Sequence, residues 1–104
     1  MRLYRFFLGL DTNGANIDAK NVAYALAAEC FPHGHTVYDA NGRWFGDVGI
    51  IDEPTIVIEW FCSDQQIADG SGDKLALSFA AKFKAAANQE SVLVTFTDVC
   101  ATFV

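Results

Sequence analysis

The sequence has no glycine-rich phosphate loop, no serine nucleophile elbow and no CxxC pair, so the common signatures of nucleotide, acyl-transfer and dithiol chemistry are missing. It has no apolar run near the ~18 residues that a membrane helix needs. Basic residues are scarce: seven against thirteen acidic, a formal charge of −6. A field of that sign repels phosphate backbones and argues against nucleic-acid partners. Repeats, charge blocks and low-complexity tracts are also lacking. Met1 to Leu10 places two arginines near a short apolar run, but Asp11-Thr12-Asn13-Gly14 ends it with no small-residue cleavage site, so it does not read as a signal peptide. Three cysteines, Cys30, Cys62 and Cys100, are an odd number without short spacing. Reduced thiols in a cytoplasmic setting are the simplest account.

Apolar side chains, by contrast, are abundant. They make up 52% of 104 residues, and aromatics reach 13% with nine Phe. Such a chain can offset its conformational entropy and is not disordered. Its length predicts a single domain over residues 1–104.

Leu3 to Leu10 is too short and too rich in aromatic and aliphatic residues for a helix and reads as a strand, closed by a turn at Asp11–Gly14. Asp18 to Phe31 carries Val22, Leu26 and Cys30 at steps of four and reads as a helix capped by Asn16 or Asp18. Pro32 and Gly34 stop it. Thr36 to Asp39 follows as a second strand, and Asn41-Gly42 signals a hairpin before Arg43-Trp44-Phe45. A Gly46-Asp47-Val48-Gly49 turn leads to the strand Thr55–Phe61, where Ile56, Ile58 and Trp60 alternate with Val57 and Glu59. Cys62 to Gly72 is expected as a loop. Asp73 to Asn88 is a helix with Leu75, Phe79 and Phe83 inward and Lys74, Lys82 and Lys84 in water. Val92 to Phe96 is the last long strand, with Val99–Val104 a possible extension. The order predicts an α+β, ferredoxin-like βαββαβ sandwich: a four-stranded antiparallel sheet, two helices on one face, and an extra hairpin between strands two and three.

The first strand is apolar on both sides, with Tyr4, Phe6 and Leu8 opposed to Leu3 and Phe7. A sheet with one face in water would alternate to polar residues there. The helix-free face is therefore expected to pack on other subunits.

Candidate sites are few. His33-Gly34-His35 lacks a third ligand at metal spacing and reads as a solvated turn, so no metal is expected. The cysteines read as small buried hydrophobes, since no histidine stands at triad spacing. Asp47 and Asp52 read as loop carboxylates. Glu53 stands out, because Pro54 fixes the backbone after it and a strand follows at once. A carboxylate there, near Tyr38, Trp44 and Phe45, suits a small cation, each well-placed ring adding ~0.5–2 kcal/mol. Asn88-Gln89-Glu90-Ser91 exits the second helix and could line a subunit boundary. Glu59, mid-strand, belongs either to an exposed face or to an interface.

Two resemblances attach to these residues. Glu53-Pro54-Thr55 leading into an alternating strand, Asp73-Lys74 opening an alanine-rich helix, and Gln89-Glu90 before Val92-Leu93-Val94 resemble phage-encoded S-adenosylmethionine lyases, formerly called hydrolases, over about half of the chain. Tyr38 to Trp44, Glu53-Pro54, Asn88 to Leu93 and Val99-Cys100 resemble a bacterial domain family of unknown function, by identity the nearer of the two. The lyase resemblance implies a homotrimer of ferredoxin-like subunits with ligand sites at their boundaries. It also implies cleavage of S-adenosylmethionine to methylthioadenosine and homoserine lactone, with no cofactor. It gives Glu53 the catalytic role, Tyr38 or Trp44 an aromatic contact, and Thr55, Gln89, Glu90 and Ser91 places beside the substrate. A phage enzyme of this kind would work in the host cytoplasm and deplete the methyl donor of restriction systems. The alternative is a non-catalytic, small-molecule-binding oligomer.

Overall fold

The computed structural model describes residues 1–47 and 49–104; Val48, within the expected Gly46–Gly49 turn, lies outside them. Seven elements follow in order: β1 (Arg2–Gly9), α1 (Ala19–Cys30), β2 (Thr36–Gly46), β3 (Gly49–Cys62), α2 (Asp64–Asp69), α3 (Ser71–Ala86) and β4 (Leu93–Asp98). The four strands form one antiparallel sheet in the order β2-β3-β1-β4. This is the ferredoxin-like α+β arrangement that the element order predicts.

Asp18 caps α1, its carboxylate accepting from the Asn21 amide at 3.2 Å, which satisfies one of the orphan donors of the first turn. The buried stripe of α1 is Ala19, Ala23, Ala27 and Cys30, with Val22 and Leu26 only partly covered. Alanines bring the helix backbone close to α3, which answers with Ala76, Ala80, Phe79 and Phe83. Beneath them the sheet presents Tyr4, Phe6, Leu8, Ile56, Ile58, Trp60 and Cys62. Phe6 meets Phe79 edge-on at 4.8 Å between centroids, and Phe31 stacks on Trp60 at 4.7 Å. Each fully buried Phe contributes about 1.5–3 kcal/mol by leaving water.

Three expectations are corrected. No turn forms at Asn41-Gly42: β2 runs straight through, with Asn41 opposite Pro54 and Gly42 opposite Glu53. The extra hairpin is instead the distal half of β2 and β3, and it reverses beyond the Gly46–Gly49 pair. The segment Cys62–Gly72 contains the short helix α2, held by a capping box between Ser63 and Gln66 and ended by Gly70 in the left-handed region at φ 77°. Residues 99–104 do not extend β4; Val99 donates its amide to the Met1 carbonyl at 2.8 Å and accepts from the Met1 amino group at 3.1 Å.

Because β1 pairs with β3 only from Thr55 to Cys62, residues 41–46 and 49–54 form a two-stranded arm with no third strand. Two-stranded ribbons are marginal alone in water, and this one bears exposed Trp44, Phe45, Ile50 and Ile51. The chain is correspondingly elongated, 44 × 25 × 24 Å. The helix-free face of the sheet carries Leu3, Phe7, Val57 and Phe61 around an ion pair, Arg5 Nε to Glu59 Oε2 at 2.6 Å. Glu59 is thus a paired carboxylate on the helix-free face.

Candidate functional site

A cavity of about 360 Å³ opens where the arm leaves the sheet. Its walls come from the end of β1, the loop after it, the arm, and the loop from α3 into β4. Glu53, Trp44, Gln89, Glu90 and Ser91 all line it, together with Phe7, Phe45, Ile51 and Leu93. Residues singled out far apart in sequence therefore meet at one place.

Two glycines on the helix-free side let the key side chains lie flat. The Glu53 carboxylate rests over Gly9, where an added Cβ would stand 2.7 Å from Glu53 Cδ. The Trp44 indole lies back over Gly42, where a Cβ would stand 2.7 Å from Nε1 and 2.8 Å from the Thr55 hydroxyl. Neither glycine has a positive φ, so close approach is what demands them. Thr55 is buried beneath this pair, its hydroxyl donating to the Glu53 carbonyl at 3.1 Å.

Glu53 Oε2 accepts from the Asp11 amide at 3.1 Å. The loop carrying Asp11 is laced to the loop after α3. Asn13 Nδ2 donates to the Asn88 carbonyl at 2.8 Å, Asn88 Nδ2 donates to the Thr12 carbonyl at 3.0 Å, and Gln89 Nε2 donates to the Asp11 carbonyl. Asn13 and Asn88 both adopt left-handed backbone, at φ 54° and 53°, a region Asn tolerates better than most residues.

Asp11, Glu53 and Glu90 line the cavity, and among the described residues no Lys or Arg does. Three carboxylates beside an indole and a phenyl ring favour a positively charged, partly apolar ligand. At 360 Å³ the cavity is at the small end for a drug-sized molecule.

Tyr38 stands apart. It lies opposite Val57 on the helix-free face, six residues and roughly 20 Å along β2 from Trp44, and does not line the cavity of its own protomer. Gly9, Gly42 and the Asp11 amide are the parts that sequence reasoning missed. An isolated glycine inside the expected strand Leu3–Leu10 was the one available signal.

A larger groove of about 710 Å³ lies at the opposite end of the sheet, over Phe31, Trp60, His33 and His35. Two of its polar groups are engaged: Glu59 is bound by Arg5, and His35 Nδ1 is 3.0 Å from the Phe31 carbonyl. Among the described residues no three His, Cys, Asp or Glu side chains gather to hold a metal ion. Cys30 and Cys62 are buried, as expected, whereas Cys100 is exposed. No helix of the described residues is long and apolar enough to cross a membrane.

Among known proteins, no family model matches the chain and no curated protein sequence matches it. Its fold does have solved counterparts. A phage SAM lyase in the apo state superposes with a TM-score of 0.67 at 17% identity, covering 92% of this chain and 78% of the other. A phage SAM lyase in complex with S-methyl-5′-thioadenosine gives 0.62 at 18% identity, over 93% and 80%. A CutA1 variant from Pyrococcus horikoshii gives 0.58 at 11% identity, over 99% and 87%. At these identities the likeness is one of fold.

Proposed function

We propose that this chain is the subunit of a cofactor-free S-adenosylmethionine lyase, assembled as a homotrimer whose subunits close the cavity around Glu53. One observation carries the reading: the cavity combines three carboxylates with Trp44 and Phe45 and, among the described residues, no basic one lines it. S-Adenosylmethionine bears a sulfonium, an ammonium and an apolar ring system, which are the features such a wall favours. The fold shared with a lyase bound to a thioadenosine product lends support.

The chemistry asks little of the protein. The substrate's own carboxylate oxygen attacks its γ-carbon, the carbon–sulfur bond breaks, and the electron pair leaves with sulfur. A neutral thioether, methylthioadenosine, and homoserine lactone result, with charge and atoms conserved. The sulfonium needs no acid to leave. Holding the chain folded in a near-attack geometry can be worth roughly 7–11 kcal/mol. Glu53 anchors the cationic end, its second oxygen being free of the Asp11 amide, and so fixes where the carboxylate can reach. Trp44 offers a ring face to the sulfonium or the base. Glu90 and Ser91 bound the opposite wall.

The arm at the edge of the cavity and the helix-free face both expose apolar side chains, Trp44, Phe45 and Ile51 on the first and Phe61 on the second. A second copy covering those surfaces would exclude water from the site. Tyr38, remote within its own protomer, would reach a ligand only across such a boundary. In a phage setting the activity would remove the methyl donor from host restriction systems, in the host cytoplasm.

The test is to incubate purified protein with S-adenosylmethionine and follow methylthioadenosine by chromatography, with Glu53→Gln alongside. At an effective dielectric near 20, a unit charge ~4 Å away is worth about 4 kcal/mol, so the variant should lose on the order of a thousandfold in turnover while its assembly survives. Binding of S-adenosylmethionine without product would favour the non-catalytic alternative. Normal turnover by Glu53→Gln would remove Glu53 from the mechanism.

A further inference from the structure

We propose that Gly9 and Gln89 are positioning residues that together set the Glu53 carboxylate in place, Gly9 by absence of a side chain and Gln89 through the Asp11 peptide. The kinetic consequence rests on the lyase reading above; the geometry does not.

Gly9 is the last residue of β1, opposite Thr55. Its φ is not positive, so backbone conformation does not demand a glycine there. The demand comes from the carboxylate lying directly on it. A Cβ would meet Glu53 Cδ and Oε2, each at 2.7 Å, and Oε1 closer still. With a side chain at position 9, Glu53 must shift off β1, and on this proposal the shift costs it the Asp11 amide.

That amide belongs to a peptide held from its other end. Asp11 donates through N–H to Glu53 Oε2 at 3.1 Å, while its carbonyl accepts from Gln89 Nε2. The same Gln89 nitrogen donates to the Ala87 carbonyl at 3.2 Å. A side-chain amide has two N–H donors, and both are spent on the main chain. Gln89 therefore has no donor left for a ligand. Its place is in a chain of contacts from the end of α3, through Asp11, to Glu53. Its side-chain oxygen can still accept from a cationic ligand, so this positioning role stands beside the substrate contact that the resemblance implies.

The experiment uses wild type, Gly9→Ala, Gln89→Met and Glu53→Gln, each checked for folding and assembly. The first readout needs no activity. The Asp11 amide resonance is followed from pH 3 to 7 in ¹H–¹⁵N spectra. The component of its pH response that Glu53→Gln abolishes reports the contact with Glu53, separated from the response to Asp11's own carboxyl and to Glu90. That component should vanish in Gly9→Ala and fall by at least half in Gln89→Met. The second readout is kinetic: kcat should fall about a hundredfold in Gly9→Ala, the usual cost of misplacing a reacting group by ~1 Å, with KM changed less than threefold. Persistence of the full Asp11 response in Gly9→Ala or in Gln89→Met would overturn the proposal. So would an unchanged kcat in a Gly9→Ala protein that turns over. If wild type makes no methylthioadenosine, the lyase reading falls and the spectra alone decide the positioning.

Discussion

Replacing Phe45 with serine separates the folding of the protomer from its assembly. Phe45 sits near the tip of the arm and is 90% exposed in the protomer. An aromatic side chain presents ~200 Å², so about 180 Å² of apolar surface remains in water. At ~25 cal/mol per Å², covering it with a second subunit contributes at most ~4.5 kcal/mol per subunit. The tenth that the protomer covers, about 20 Å², is worth only ~0.5 kcal/mol on the same scale. Phe45→Ser should therefore leave the denaturant midpoint of the dissociated protomer almost unchanged. In the assembly it should weaken association by up to roughly a thousandfold per site, 1.4 kcal/mol being a factor of ten. Sedimentation velocity across a concentration series at micromolar protein reads the second effect, and urea unfolding reads the first. Wild-type protein that sediments as a monomer at micromolar concentration would refute the reasoning at its root. An oligomer unaffected by Phe45→Ser would show that the arm tip lies outside the interface.

Two further outcomes rest on the packing of the cysteines and on the Arg2–Asp98 pair. Cys30 and Cys62 are buried, and burial pushes both thiols above the ordinary range; Cys100 is exposed. One thiol of three should react quickly with an aromatic disulfide reagent in native protein, and all three after unfolding; two fast native thiols would contradict the packing. Asp98 receives a hydrogen bond from Arg2 Nε at 2.7 Å, which lowers its carboxyl below the ordinary carboxylate range. A lowered carboxyl contributes stability that is fully present above the unfolded value and lost as pH falls through the folded one. Thermal melts should therefore show this contribution disappearing below about pH 4, and Arg2→Gln should flatten that part of the profile; an identical acid limb in the variant would remove the pair from the account.

Much of the fold is legible because period and punctuation agree. β1 and β3 declare themselves by dense apolar alternation, and α3 by Phe79 and Phe83 four apart. The failures have physical causes. Asn41-Gly42 carries the composition of a tight turn, but its glycine is needed so that the Trp44 indole can approach Thr55, and β2 continues through it. The positive φ beside the real reversal belongs to Gly49, at 113°. A glycine required for space and a glycine required for φ are written with the same letter. α2 is shorter than two helical turns, too brief for periodicity to register, although Ser63 and Gln66 stand at capping-box spacing. In α1 the inward stripe is alanine, so the larger Val22 and Leu26 mark its flank rather than its centre.

The candidate site divides along the same line. Glu53, Trp44 and Glu90 could be singled out from sequence because charge and aromaticity are properties of a residue type. The groups that orient Glu53 are an amide, a carbonyl and an empty space over Gly9, and none of these has a letter of its own. Main-chain donors leave a trace only where a neighbour must stay small or a side-chain amide must turn back on the backbone. In this chain those traces are Gly9 and Gln89. For holding Glu53, the Asp11 side chain should matter less than either of them, because its amide and carbonyl remain whatever the side chain is; the Glu53-dependent part of that amide's pH response should survive Asp11→Asn.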